Sequence, residues 1–189
     1  MNPIFRPHTL GVDDAPFDKR QAGRVPIIGV AMEGHDVVES IALGEFPVDG
    51  DGATEYLASW IAGLRARPML QAVILGGITI AGLGIIDVTA LAERLGVAVL
   101  VVTRHNPARS ELADALKAAG LTDRLSLLER VPRAYGVGDG LYLAHAGVPR
   151  VEAERLLTAA LGKARLPEPL RVAHLIGQAI VLRESRVRV

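Results

Sequence analysis

The run Val73-Ile-Leu-Gly-Gly-Ile-Thr-Ile-Ala-Gly-Leu-Gly-Ile-Ile-Asp87 decides the fold. Its first residues belong to an unbroken apolar segment, Ala72–Leu75, of the kind that forms a strand buried on both faces. Two glycines then end the strand, a glycine-rich turn follows, and a helix starts near Asp87, a good N-cap residue. In an α/β sheet the end of such a strand is where a catalytic carboxylate projects. Here Gly76 and Gly77 hold that position, and no acid appears before Asp87. The frame of an active site is present with one expected piece missing. Gly82 and Gly84 form G-x-G, but no third glycine follows at dinucleotide-binding spacing, so they read as a sharp turn or a close backbone approach.

Upstream, residues 9–12 read as a short strand ending at Asp13-Asp14, and Pro16 forces the chain out of the sheet. Residues 25–32 and 37–46 read as two strands joined by a hairpin turn at 33–36. Asp49-Gly-Asp51-Gly-Ala-Thr opens a helix in which Ala53, Leu57, Trp60, Ile61 and Leu64 recur at helical spacing, with Asp49 or Asp51 as its cap. Downstream, residues 86–95 form a helix closed by Gly96. Residues 97–102 follow as a strand, and 108–119 as a helix closed by Gly120. Residues 125–128 and 141–144 read as short strands; 149–161 and Glu168–Leu182 are the last helices. A three-strand meander followed by parallel βα units predicts an α/β, ribonuclease-H-like mixed sheet flanked by helices. A Rossmann plan would alternate strand and helix from the start.

The 189 residues fit a single domain spanning 1–189, and half of them are apolar. No apolar run is long enough to span a bilayer and no secretory leader is visible, so no membrane partner is expected. Without cysteine there is no disulfide framework, thiolate metal site or cysteine nucleophile, and a cytoplasmic location is the default. The 21 basic and 21 acidic residues balance. That argues against a protein that coats nucleic acid, though not against a local basic rim. Among the basic residues only Lys19, Lys117 and Lys163 are lysine. Arginine suits bidentate phosphate contacts, but genomic base composition is the favoured explanation of the bias.

Several residues are candidates for chemistry. Asp13 and Asp14 end the first strand and point to opposite faces, so one of them can enter a site; Asp-Asp-Ala-Pro is also good turn chemistry. Of Asp49 and Asp51, one is expected to cap the helix and the other to reach a metal. The D-x-D-G string lacks the closing glutamate of a calcium loop. Arg104 and His105 follow a strand at the end of the sheet that carries function. On the last helix Arg171, His174 and Gln178 form a polar stripe, and Leu170, Ala173, Ile176 and Ile180 form an apolar one. That polar stripe is either a hydrogen-bonded core feature or part of a site. Phe17 and Tyr135 are the loop aromatics available for stacking on a base.

Six segments taken together are similar to the endonuclease dU family, distant relatives of endonuclease V. They are Gly11-Val-Asp-Asp-Ala-Pro-Phe17, Val48-Asp-Gly-Asp-Gly-Ala-Thr54, Gly77-Ile-Thr-Ile-Ala-Gly-Leu-Gly-Ile-Ile-Asp87, Val101-Val-Thr-Arg-His-Asn-Pro107, Pro167-Glu-Pro-Leu-Arg-Val-Ala-His-Leu-Ile176 and Glu184-Ser-Arg186. The resemblance implies a DNA-repair hydrolase that uses Mg²⁺ or Mn²⁺ to cut DNA near a deaminated base, deoxyuridine above all. It matches Asp13 to the first-strand metal-binding aspartate, assigns Asp49 or Asp51 as the next metal ligand, and gives His174 the part of the late catalytic histidine. Arg104 and Arg171 would then lie near phosphate.

The chain departs from the family where relatives carry Asp-Gly at the end of the fourth strand. Gly76 replaces that bridging metal ligand, and Val187 stands where the family favours glycine. Loss of a central oxygen donor predicts impaired catalysis unless Asp14 or Asp87 substitutes for it. The rival expectation is a non-catalytic nucleotide-binding or partner-binding protein on the same fold, a homodimer among the options.

Overall fold

In the computed structural model, which describes residues 5–20, 23–106, 108–138 and 140–185, the chain forms a seven-stranded mixed sheet covered on both faces by helices. Pro107, Arg186 and Val187 of the motifs above lie outside the described residues. The strands are β1 (His8–Asp14), β2 (Arg24–Glu33), β3 (Val37–Pro47), β4 (Ala72–Leu75), β7 (Ala98–Thr103), β8 (Tyr135–Gly136) and β9 (Tyr142–Ala146). A separate two-stranded hairpin is made by β5 (Thr79–Ile80) and β6 (Gly84–Ile85). The helices are α1 (Ala53–Ala62), α2 (Val88–Leu95), α3 (Arg109–Ala118), α4 (Leu125–Arg130), α5 (Arg150–Ala160) and α6 (Glu168–Leu182). In space the large sheet runs β3-β2-β1-β4-β7-β9-β8.

The meander β1–β2–β3 is antiparallel, whereas β4 is parallel to β1 and β7 is parallel to β4. The C-terminal ends of β1, β3, β4 and β7 therefore share one edge of the sheet, where residues 48–52, 76–87 and 104–106 lead onward. The expected parallel run stops there, because β9 returns antiparallel to β7.

Alternation along the strands sorts side chains between two cores. Leu10, Val12, Val73 and Leu75 pack with Leu57, Ile61, Leu91 and Leu95 of α1 and α2. On the other face Ile74 and Leu100 meet Leu156, Leu157 and Leu170 of α5 and α6, while Ile28 and Val30 meet Ala173. Among the described residues no helix is long and apolar enough to cross a membrane.

Three local expectations are corrected. Residues 125–128 belong to helix α4, not a strand, and Leu128 packs with Leu116 of α3. A four-residue apolar run carries no periodicity that separates the two forms. Neither Asp49 nor Asp51 caps α1: its N-cap is Gly52 in the left-handed region (φ 70), with no side-chain cap. On α6 the buried line is Leu170, Ala173 and Gly177, and Ile180 is exposed. Asp87 does cap α2, accepting from Ala90 N at 3.0 Å, and Gly96 closes that helix at φ 63.

Candidate functional site

Two glycines place the last helix on the first strand. Gly11, Asp13 and Ala15 lie on one face of the chain leaving β1. A Cβ on Gly11 would collide with the backbone of Pro169 and Leu170, and a Cβ on Gly177 would come within 3.1 Å of Ala15 Cα. At Gly11 only glycine allows the backbones to approach this closely, and at Gly177 a side chain would need its neighbours to give by a few tenths of an ångström. Between those two contacts His174 meets Asp13, with Nδ1 2.8 Å from Oδ2. Gln178 Nε2 lies 3.0 Å from His174 Nε2. In the neutral ring, Nδ1–H donates to Asp13 and Nε2 accepts from the Gln178 amide. The hydrogen bond to Asp13 raises the His174 pKa, with burial and Arg104 opposing. Two residues separated by 161 positions thus form a hydrogen-bonded acid–imidazole pair, the imidazole half exposed and the carboxylate mostly covered.

Asp13 and Asp14 both line a cavity of about 200 Å³, together with Gly76, Gly77, Thr79 and Ile86. The β1–β4 register pairs Gly11 with Ile74 and Val12 with Leu75, and its next step sets Asp13 beside Gly76. A Cβ built on Gly76 stands 3.9 Å from Asp13 Oδ1 and 3.6 Å from Leu170, both ordinary contacts. A Cβ at position 76 therefore fits beside Asp13, at a position that lines the open cavity.

The other acids are engaged by backbone. Asp14 Oδ2 accepts from Ala81 N at 2.6 Å; burial pushes its pKa up, and the nearby Asp13 charge adds to this. Asp49 Oδ1 accepts from Leu83 N at 2.8 Å, and Asp49 N donates to Ala81 O at 2.9 Å. Asp87 N donates to Thr54 Oγ1 at 2.9 Å. Asp14 and Asp49 thereby hold the β5–β6 hairpin from two sides. Asp51 lines a different cavity, at the start of α1. Arg171 is paired with Glu168 at 2.6 Å on its own helix, while Arg104 lies close enough to His174 to oppose its protonation. Tyr135 sits in β8 rather than a loop, its ring covered by Arg150 at 4.1 Å and edged by His145. Phe17 packs against the core beside Gly82.

These donors do not fit a divalent cation as they stand. Such an ion takes several oxygen ligands. Asp13 and Asp14 each have one oxygen already hydrogen-bonded, and position 76 supplies none. Among the described residues no three His, Asp or Glu side chains converge as a metal site.

The model of the endonuclease dU family matches residues 6–181. The chain belongs to the endonuclease dU family. A family relative from Methanothermobacter thermautotrophicus, named only as a UPF0215 protein, is 33% identical over 94% of this chain and 89% of its own length. A crystal structure from Archaeoglobus fulgidus, described as a protein of unknown function, superposes with TM-score 0.84 at 31% identity, covering 93% of this chain and 98% of that one. Endonuclease V of Ciona intestinalis, solved with a 24-mer DNA containing inosine followed by a ribo-adenosine, superposes with TM-score 0.60 at 13% identity, covering 94% and 87%. This member of the dU family therefore has an endonuclease-V-like fold. The sequence reading missed that Asp14 and Asp49 serve the hairpin backbone. The positive φ at Asp49 (51°) and Ala81 (50°) accompanies that arrangement, and no local residue pattern announces it.

Proposed function

We propose that the chain is an endonuclease-V-like protein that engages deoxyuridine-containing DNA at the Asp13 cavity, beside His174. Cleavage there is weakened or lost because Gly76 stands where a carboxylate would face Asp13. The contact geometry at Gly76 carries this reading: there is room for a Cβ beside Asp13, and the missing acid would complete a pair at the edge of the sheet. Asp13 and His174 hold a proton between them, and Arg104 contributes positive charge beside the imidazole. Mg²⁺ or Mn²⁺ is the cation the fold implies. With the acids as they stand, no step is assigned to it.

The test is cleavage of a uracil-containing oligonucleotide with Mg²⁺ or Mn²⁺. Wild type is expected to be slow or inert, and Gly76→Asp to gain at least about tenfold, since metal sites respond on that scale to altered ligation. A wild-type enzyme that cuts efficiently and ignores Gly76→Asp would contradict the reading. A second reading, a non-catalytic nucleotide- or partner-binding protein, is favoured by the same glycine and by zero net charge. If neither protein binds DNA at low salt, where phosphate attraction is strongest, the second reading prevails.

A further inference from the structure

The same edge of the sheet carries a second cavity, of about 180 Å³, where α1 begins. Arg94, Arg124 and Arg130 line it along with Gly52 and Thr54. Arg124 is its unusual member. The residue is 6% exposed, yet its Nε has no hydrogen-bond partner. Its guanidinium makes one hydrogen bond among the described residues, from Nη1 to Leu83 O at 2.8 Å, and no ion pair. A buried guanidinium without a counter-charge is costly unless something anionic completes it.

Three acids, Asp51, Glu55 and Asp87, also line the cavity, and among the described residues none of them pairs with Arg124. Glu55 pairs with Arg94 at 2.7 Å, and Asp87 caps α2 and lies 3.8 Å from Arg130. Asp51 is exposed at the rim. The first turn of α1 points the same way. Its N-cap is Gly52, which has no side chain to accept from the amides of Ala53, Thr54 and Glu55. Unfilled first-turn amides together with the positive end of the helix dipole favour an oxyanion.

We propose that this cavity is an anion subsite that takes a phosphate group, held by Arg124, Arg130 and the first-turn amides of α1. Its position suggests where that phosphate comes from. Ile86 lines the Asp13 cavity, while Ile85 and Asp87 line this one, so a single short segment separates them. A strand phosphate next to the one at Asp13 would fall here. That assignment of the source rests on the proposed function, but the anion subsite does not.

Inorganic phosphate titrated into the full-length protein tests the subsite without DNA, read by amide NMR shifts and by thermal midpoint. Wild type should show saturable shifts at Ala53, Thr54 and Glu55 and a raised midpoint at millimolar phosphate. Arg124→Gln should weaken this by about tenfold, as expected on losing a charged hydrogen bond. Arg130→Gln, at a side chain two-thirds exposed, should weaken it in the same direction. Arg20→Gln, on an exposed arginine that pairs with Asp18 and does not line the cavity, should change nothing. Unmoved amides in wild type, or equal affinity in wild type and Arg130→Gln, would overturn the subsite.

A second arm measures oligonucleotide affinity against salt. A strand phosphate predicts weaker binding in Arg130→Gln and a log–log salt slope smaller by about one. If phosphate binds while DNA affinity is unchanged or absent, the subsite stands with a free phosphate or nucleotide as its ligand. Absence of DNA binding would then count against the proposed function alone.

Discussion

The seam between β1 and α6 and the cradle around the β5–β6 hairpin use the same residue type to opposite ends. In the seam, Asp13 meets a side chain, His174; Asp13 lines a cavity and His174 is half exposed. In the cradle, Asp14 and Asp49 meet backbone N–H groups, and their oxygens serve the shape of the chain. An acid at the edge of a nuclease-type sheet is thus informative only once its hydrogen-bond partners are counted. Unpaired buried amides take up carboxylates as readily as a metal does.

The seam breaks most severely at Gly11. Replacing it with valine puts a side chain into the backbone of Pro169 and Leu170, and the expected loss is about 3 kcal/mol. Urea denaturation reads this directly, and a loss below about 0.5 kcal/mol would mean that the close contact is not a constraint. The cradle should respond less. Asp49→Ala removes an acceptor from Leu83 N and is expected to cost about 1–2 kcal/mol. Asp49→Asn keeps an oxygen there and tolerates the positive φ, so it should recover most of that. Equal losses in the two variants would show that charge, not hydrogen bonding, is what Asp49 supplies. Asp87→Ala should cost about 1 kcal/mol as a lost helix cap.

The smallest effect concerns protons. The His174 pKa is raised in the folded state, chiefly by its hydrogen bond to Asp13. The pair's contribution to stability is therefore fully present below the ordinary histidine value of 6.5 and is lost as pH rises through the higher folded value. Asp13→Asn should bring the His174 titration back toward 6.5 in an NMR pH series and flatten that part of the stability profile. A titration that does not move would place the pair apart in solution.

Periodicity made most of the sheet legible. Ala72–Leu75 and Glu168–Leu182 have the bounds read from the sequence, because an unbroken apolar run and a proline-initiated helix each have sharp ends. Glycine punctuation identified the end of α2 at Gly96. The α4 segment misled because its apolar run is too short to show a period. The antiparallel return of β9 is a matter of topology that strand composition does not encode. At the site, the polar stripe of α6 pointed to His174, but its meeting with Asp13 depends on the close approach at Gly11 and Gly177, a tertiary fact. The role of Gly52 as the open cap of α1 was hidden behind two aspartates that looked like better caps.

At the Asp13 cavity, position 76 is where an added carboxylate would set a second oxygen donor facing Asp13. Mn²⁺ titration of wild type and Gly76→Asp, followed by calorimetry or by paramagnetic broadening near His174, tests this most directly. A carboxylate facing Asp13 should tighten Mn²⁺ binding by at least about tenfold, with the broadening centred on residues 13, 76 and 174. Equal Mn²⁺ affinity in the two proteins, or broadening centred elsewhere, would contradict it.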